Sequence, residues 1–285
     1  PMWRRFIDHL KGEHVPRRML RSDLVDAVGE VQTTKFARIR SIDVKHFKGF
    51  KRFTLDFSSR SVAEQGIAPA VVLLGENSVG KSSLLQAIAL GTMGRHLRSQ
   101  VKTDFDAFLR KPQGRADQVW QQLSGNKGAT QASIRIEFDD GSFNEVHILR
   151  GGEIHDVSFE SALVLGYGAH RQFSEQPTNY KNIKPVSSIV SLFNKQRVLP
   201  HSADWLESLD EKIFPTVARA LREILNLTDE DEIIRTERSG LMISKHGEDI
   251  PLSRLSYGYR SLFAMALDII RNMVKRWGDL ENSRG

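Results

Sequence analysis

The sequence predicts an α/β fold with an antiparallel β subdomain and a helical subdomain, and three observations carry that prediction. A short continuous apolar run, Val71 to Leu74, enters a glycine-bounded loop and is followed by an amphipathic helix. Alternating apolar and polar positions recur on either side of that unit, at 42–57 and 134–148, as half-buried hairpins do. The last third of the chain is largely helical in period and closes on a strongly apolar helix from about 260 to 277.

Taken in order, residues 1–34 read as an added arm. Trp3, Phe6, Ile7 and Leu10 keep helical spacing until Pro16, and Ser22 can cap a second helix with Leu24, Val25, Val28 and Val31 on its apolar face. Residues 1–60 hold 14 Lys/Arg against 7 Asp/Glu, so the net charge of +6 is concentrated at the front of the chain. Such an extension suits docking on the body, on a partner chain or on an anionic surface, and the basic excess hints at an anionic partner such as nucleic acid. Ile42 and Val44, a turn at Lys48-Gly49-Phe50, then Phe53, Leu55 and Phe57 describe an antiparallel pair. Val71 to Leu74 suits a strand covered on both faces. The helix over 82–90 would carry Leu84, Leu85, Ile88 and Ala89 on one side. Residues 91–130 are polar and rich in Gly and Gln, which reads as helices joined by loops.

Ile134, Ile136 and Phe138, a turn at Asp139-Asp140-Gly141, then Val146 and Ile148 form the clearest hairpin signal. Ala162 to Leu165 reads as another buried strand. Helices are expected at 186–194 and 204–226, with short strands at 232–236 and 241–245. There is no internal repeat and no heptad run long enough for a coiled coil.

Composition excludes several classes. The 285 residues contain no cysteine, hence no disulfide, no thiolate metal site and no cysteine nucleophile. No apolar run approaches the ~18 residues of a membrane span. Trp3 to Leu10 is interrupted by Arg4, Arg5 and Asp8, unlike a signal peptide, so a cytoplasmic protein is expected. The nine histidines have no metal-site spacing. Asp229 to Glu232 reads as a solvated acidic cluster, and Asp204-Trp205 as a capped, packed aromatic at a helix start.

The chemistry concentrates in Gly75-Glu76-Asn77-Ser78-Val79-Gly80-Lys81-Ser82, which satisfies G-x-x-x-x-G-K-[ST] in full. The glycines allow backbone angles that gather successive N–H groups around one anion. The following helix, with Ser83 in its first turn, points its positive end at that anion. Lys81 can reach the β- and γ-phosphates, and the Ser82 hydroxyl can ligate Mg²⁺. ATP and Mg²⁺ are the expected ligands, with Lys81 as the catalytic cation.

A second motif, Leu255-Ser256-Tyr257-Gly258-Tyr259-Arg260-Ser261, precedes the final helix. It resembles the LSGGQ-type signature of ABC-class ATPases at Leu255, Ser256 and Gly258, with Arg260 close behind. In that family the signature of one head binds the γ-phosphate held by the partner's Walker A loop. The resemblance therefore implies a homodimer closed around MgATP. The opening Ile39…Ile42-Asp43-Val44-Lys45-His46-Phe47-Lys48-Gly49-Phe50 is similar to the first strand and turn of the SMC, RecF and OLD branch. There Arg38, Lys45, His46 and Lys48 would lie near the adenine. Gly166-Tyr167-Gly168-Ala169-His170-Arg171 resembles a motif of bacterial phage-defence ATPases, and Gln172 is the nearest candidate for a Q-loop glutamine.

The resemblance divides the chain into the extension 1–34 and an ATPase head over 35–285. The head comprises a Walker A lobe (35–90), a helical and β insertion (91–227) and a signature region (228–285). It implies ATP-driven DNA repair or anti-phage defence through a nuclease or toxin effector, with DNA as a further partner and no membrane. The alternative is a nucleotide-gated scaffold or sensor with little hydrolysis of its own. A transporter subunit fits less well, because 175 positions separate Lys81 from Ser256.

The resemblance also implies a Walker B strand ending in Asp and Glu after the signature helix, where this chain has Gly278-Asp279-Leu280-Glu281-Asn282-Ser283-Arg284-Gly285. Phe263 to Asp268 mimics the pattern but lies inside the signature helix. Either the sequence is truncated before that strand or a partner supplies it, and truncation is the preferred expectation.

Overall fold

The computed structural model describes residues 38–57, 71–111, 129–157, 163–169, 179–200, 203–228, 230–236, 240–245 and 248–277. Residues 1–34, Ala162, His170, Arg171, Gln172 and Asp229 lie outside them. The chain forms two compact units. The first runs from Lys35 to Gly168 and includes Leu192–Asn194; the second holds Ala169–Ser191 and the chain from Lys195 onward.

The first unit is a five-stranded antiparallel sheet backed by one helix. Its strands are β1 (Ile39–Phe47), β2 (Phe50–Asp56), β3 (Gln131–Phe138), β4 (Phe143–Leu149) and β5 (Ile154–Val157), in the order β2-β1-β3-β4-β5. Val44 stands opposite Phe53 on one side and Ile134 on the other, and Ile134 stands opposite Val146. This register brings Ile42, Val44, Ile134, Ile136, Phe138, Val146 and Ile148 to one buried face, as their period-2 spacing predicts. The turn at Asp139-Asp140-Gly141 forms as expected. Gly141 takes φ 83°, and Asp140 Oδ1 accepts from the Ser142 amide and hydroxyl.

Helix α1 (Lys81–Thr92) covers that face. It buries Leu84, Gln86, Ala87, Ala89, Leu90 and Gly91, so two of the four expected apolar positions are buried, while Leu85 is 45% exposed and Ile88 is half-buried. The buried face therefore keeps Leu84 and Ala89 and is turned away from Leu85 and Ile88. Close approach, not bulk, selects the contact: a Cβ at Gly91 would stand 2.7 Å from Ile136 Cδ1 and 2.9 Å from Ile134 Cγ2. A short helix α2 (Arg95–Ser99) follows. Helix α3 (Val190–Phe193) lends its second half to this unit.

Two expectations for this unit are corrected. Val71 to Leu74 forms no strand; Val71, Val72 and Leu74 are 45, 76 and 89% exposed. An extended run that is apolar on both faces needs neighbours along both edges, and among the described residues none pairs with it. Leu163 to Leu165 is likewise irregular and half-buried.

The second unit packs α4 (Ala203–Glu207), α5 (Phe214–Ile224) and α6 (Tyr257–Trp277) with a three-stranded antiparallel sheet, β6 (Glu232–Thr236), β7 (Gly240–Lys245) and β8 (Glu248–Pro251). Trp205, Leu206, Val217, Leu221, Ile224, Ile233, Ile243, Phe263, Leu267 and Ile270 form its core. Trp205 is the packed aromatic anticipated from the sequence. The helix expected over 204–226 is broken at Asp210, whose Oδ1 accepts from the Lys212 and Ile213 amides and starts α5, with Pro215 in its first turn. The helix expected over 186–194 is a 3₁₀ turn (Pro185–Ser188) followed by α3. Among the described residues no helix is long and apolar enough to cross a membrane.

Candidate functional site: a phosphate-binding loop

The segment Gly75–Gly80 joins the exposed run to α1 and is itself exposed except at Gly80. Its shape comes from left-handed residues. Ser78 has φ 70° and Gly80 has φ 100°, ψ 10°. Gly80 is required twice over, because a Cβ there would also meet Phe50 Cζ at 2.8 Å. Alternation of left- and right-handed residues turns successive N–H groups into one concavity, the geometry that holds an anion.

Helix α1 opens directly onto this loop. Its first internal bond runs from Leu84 N to Gly80 O at 2.9 Å, and no side chain caps the end. The amides of Lys81, Ser82 and Ser83 precede that bond, so their donors point out of the helix end. Lys81 Nζ donates to Gly75 O and Glu76 O, each at 2.6 Å, which holds the ammonium over the loop. Ser82 is exposed and Ser83 half-buried; Glu76, Asn77, Ser78 and Val79 are exposed. The cradle fits a chain of phosphates, and the Ser82 hydroxyl is free to join phosphate oxygens and water around Mg²⁺.

The far end of α1 is fixed rigidly. Asn144, fully buried, donates to Gly91 O at 3.0 Å. Arg98 donates to Leu90 O (3.1 Å) and Met93 O (2.6 Å) and pairs with Asp156. Carbonyls that a helix end leaves open are thus satisfied by buried groups, and the opposite end is left for a ligand.

The signature segment lies in the second unit. Leu255 and Tyr259 pack against the core, whereas Ser256 and Gly258 are exposed. Ser256 Oγ stands 3.4 Å from the Tyr259 amide, a long and weak cap of α6. A Cβ at Gly258 would meet nothing within 4 Å. The fold itself therefore places no demand for glycine there. Tyr259 donates its hydroxyl to Leu225 O at 3.1 Å, and burial, then the charge of Asp231, raises its pKa. Arg260 is half-buried.

Other expectations resolve individually. Asp231 is not solvated: it is 1% exposed, and its Oδ2 accepts from Thr228 N. Asp268 is buried within α6 beside Arg271, at 3.0 Å, as a residue inside that helix should be. Arg38 N donates to Asp139 Oδ1, and Lys45 pairs with Asp43. The packing of the Phe50 ring against Gly80 and of Asn144 behind α1 has no local mark in the sequence, although Phe50 itself belongs to the β1–β2 turn motif.

A family model described as an AAA domain matches residues 41–252. The chain belongs to the AAA domain family. The fold is of the P-loop NTPase type, and the matched residues include the loop 75–83. The Septu protein PtuA of Bacillus mycoides (strain KBAB4) is 30% identical over 253 residues, covering 85% of this chain. The match covers 32% of PtuA, so this chain spans about a third of that relative's length. Among solved structures, an SMC head bound to the C-winged helix domain of ScpA is 14% identical, covering 84% of this chain and 77% of that one, with TM-score 0.44. RecF with ATP, the recombination mediator of the RecFOR pathway, is 12% identical over 86% and 83% of the two chains, with TM-score 0.39.

Proposed function

We propose that this AAA domain is the ATP-binding part of an ABC-type ATPase that closes head to tail as a dimer around MgATP and drives anti-phage defence. In this reading Gly75–Ser83 hold the triphosphate, Lys81 neutralises its β- and γ-oxygens, and Ser82 joins the Mg²⁺ shell. Mg²⁺ would supply charge neutralisation at the β- and γ-oxygens. Leu255, Ser256, Gly258 and Arg260 form the signature that meets the γ-phosphate of the partner's nucleotide. The observation that carries the reading is the uncapped N-terminus of α1 under a left-handed loop, with the Lys81 ammonium held above it.

The signature side is supported by which residues face outward. Ser256 and Gly258 are exposed and locally dispensable, while Leu255 and Tyr259 do the packing. Glycine at a position with open space around it is what close approach by another molecule would require. Between the two outputs considered, DNA repair and defence, likeness to the Septu protein PtuA supports defence, with a nuclease or toxin as the controlled effector.

Sedimentation of the natural full-length protein with MgATP tests this. Wild type should associate on adding MgATP, and Lys81→Ala and Ser256→Arg should each abolish the response. An equimolar mixture of the two variants should recover part of it, because a mixed dimer retains one intact composite site. Association that ignores both substitutions would eliminate the composite site.

A further inference from the structure

Gln86 lies on α1 five residues beyond Lys81 and is 8% exposed. Both ends of its amide are used. Oε1 accepts from Lys48 Nζ, and Nε2 donates to Leu192 O at 2.7 Å. A buried amide is tolerated in a helix face only when it is satisfied in this way.

Lys48 is itself tightly held. It sits in the β1–β2 turn with φ 48°, close to His46 at φ 54°, and non-glycine residues persist in that region only when their surroundings over-determine them. The Lys48 amide donates to Phe108 O at 2.7 Å, and Arg110 N donates to His46 O at 2.7 Å. The Lys48 ammonium stands 4.3 Å from the Phe108 ring centroid, and that ring packs against Phe47 and Phe193. The β1–β2 turn, the helix that opens at the phosphate loop and the end of α3 therefore meet at one side-chain amide.

We propose that Lys48 and Gln86 form a positioning pair that sets the rotation of α1 about its axis, and with it the placing of Ser82 and Lys81. The inference rests on the reading of 75–83 as the MgATP site and names what aligns it. Ser82 and Gln86 are four residues apart and so share one helix face; a rotation at Gln86 is passed directly to the Ser82 hydroxyl. Asn144 and Arg98 hold the far end of α1, at Leu90 and Gly91, and the close approach of Gly91 to β3 is at that end too; toward the loop the buried Leu84 and Ala87 are apolar and offer little directional resistance to turning. The two bonds of Gln86 are directional and supply that resistance.

The test uses the full chain, mant-ATP with Mg²⁺ and mant-ATP in EDTA, well below the thermal midpoint. Gln86→Met keeps length and helix propensity while removing both bonds; Gln86→Glu keeps an acceptor facing Lys48. Gln86→Met should lose about tenfold in affinity with Mg²⁺ and less in EDTA, because the Ser82 hydroxyl is what moves. Gln86→Glu should stay within about threefold of wild type. A purely structural amide would lower the thermal midpoint and leave both affinities unchanged. Lys48→Met reaches the pair from the turn and should copy Gln86→Met, which covers the case in which the latter does not fold. Binding by either Met variant within about twofold of wild type, with Lys81→Ala abolishing it, overturns the pair and leaves the phosphate site standing. Binding that survives Lys81→Ala overturns the site reading and the pair together.

Discussion

The hairpin β3–β4 and the run Val71–Leu74 belong to the same unit and both offer branched aliphatic side chains, yet they end differently. Ile134, Ile136, Val146 and Ile148 are fully buried, whereas Val72 and Leu74 are 76 and 89% exposed. The hairpin closes over a tight turn, so its pairing needs almost no loop entropy and its single apolar face needs one cover, which α1 provides. The run before the phosphate loop is apolar on both faces. It needs strands on both edges and layers on both sides, and chain close in sequence offers neither. Local patterning thus completes an antiparallel layer and leaves a strand of the parallel kind dependent on something else.

The largest test of that contrast pairs two substitutions. Ile134→Ala should cost about 2–5 kcal/mol by chemical denaturation, since it empties a filled position under α1. Leu74→Ser should change stability by less than about 0.5 kcal/mol. A comparable loss from both would show that the run is packed after all. Gly91→Ala comes next: the added methyl must fit against two fully buried isoleucines, and the cost should be about 1–3 kcal/mol despite alanine's better helix propensity.

Tyr259→Phe examines the second unit. It removes the hydroxyl's bond to Leu225 O and should cost about 1 kcal/mol while leaving the ring packed. Its pH signature is smaller and has a definite sign. Burial, followed by Asp231, raises the Tyr259 pKa in the folded protein. The unfolded chain ionises first, near its ordinary value of about 10, so this stabilisation is complete below that pH and is lost as pH climbs through the folded value. Unfolding curves of wild type and Tyr259→Phe taken between neutral pH and pH 11 should therefore converge at the alkaline end.

Much of this was legible in the sequence because it is local. The alternation in β1, β3 and β4, the Asp139-Asp140-Gly141 turn, the loop Gly75–Ser82 and the helix after Ser256 all follow from periods and turn chemistry within a few residues. What escaped was decided by contacts between distant segments. On α1, Leu84 and Ala89 are buried as expected, but Leu85 and Ile88 give way because Gly91 stands close to β3, which apolar counting does not weigh. The break at Asp210 was hidden by a good helical period on either side, and Asp231 was read as solvated because burial by neighbouring elements leaves no local mark. The left-handed Ser78 and the ring of Phe50 beneath Gly80 shape the candidate site, and neither stands out by residue type.

The most direct test of the central claim is isothermal titration of Mg–ATPγS into wild type and Lys81→Ala. The structure predicts one site per chain in wild type and a loss of about a hundredfold in the variant, since Lys81 is the cation set over the loop. Equal affinities for the two proteins, or no binding to wild type, would contradict the assignment of Gly75–Ser83 as an ATP-binding loop.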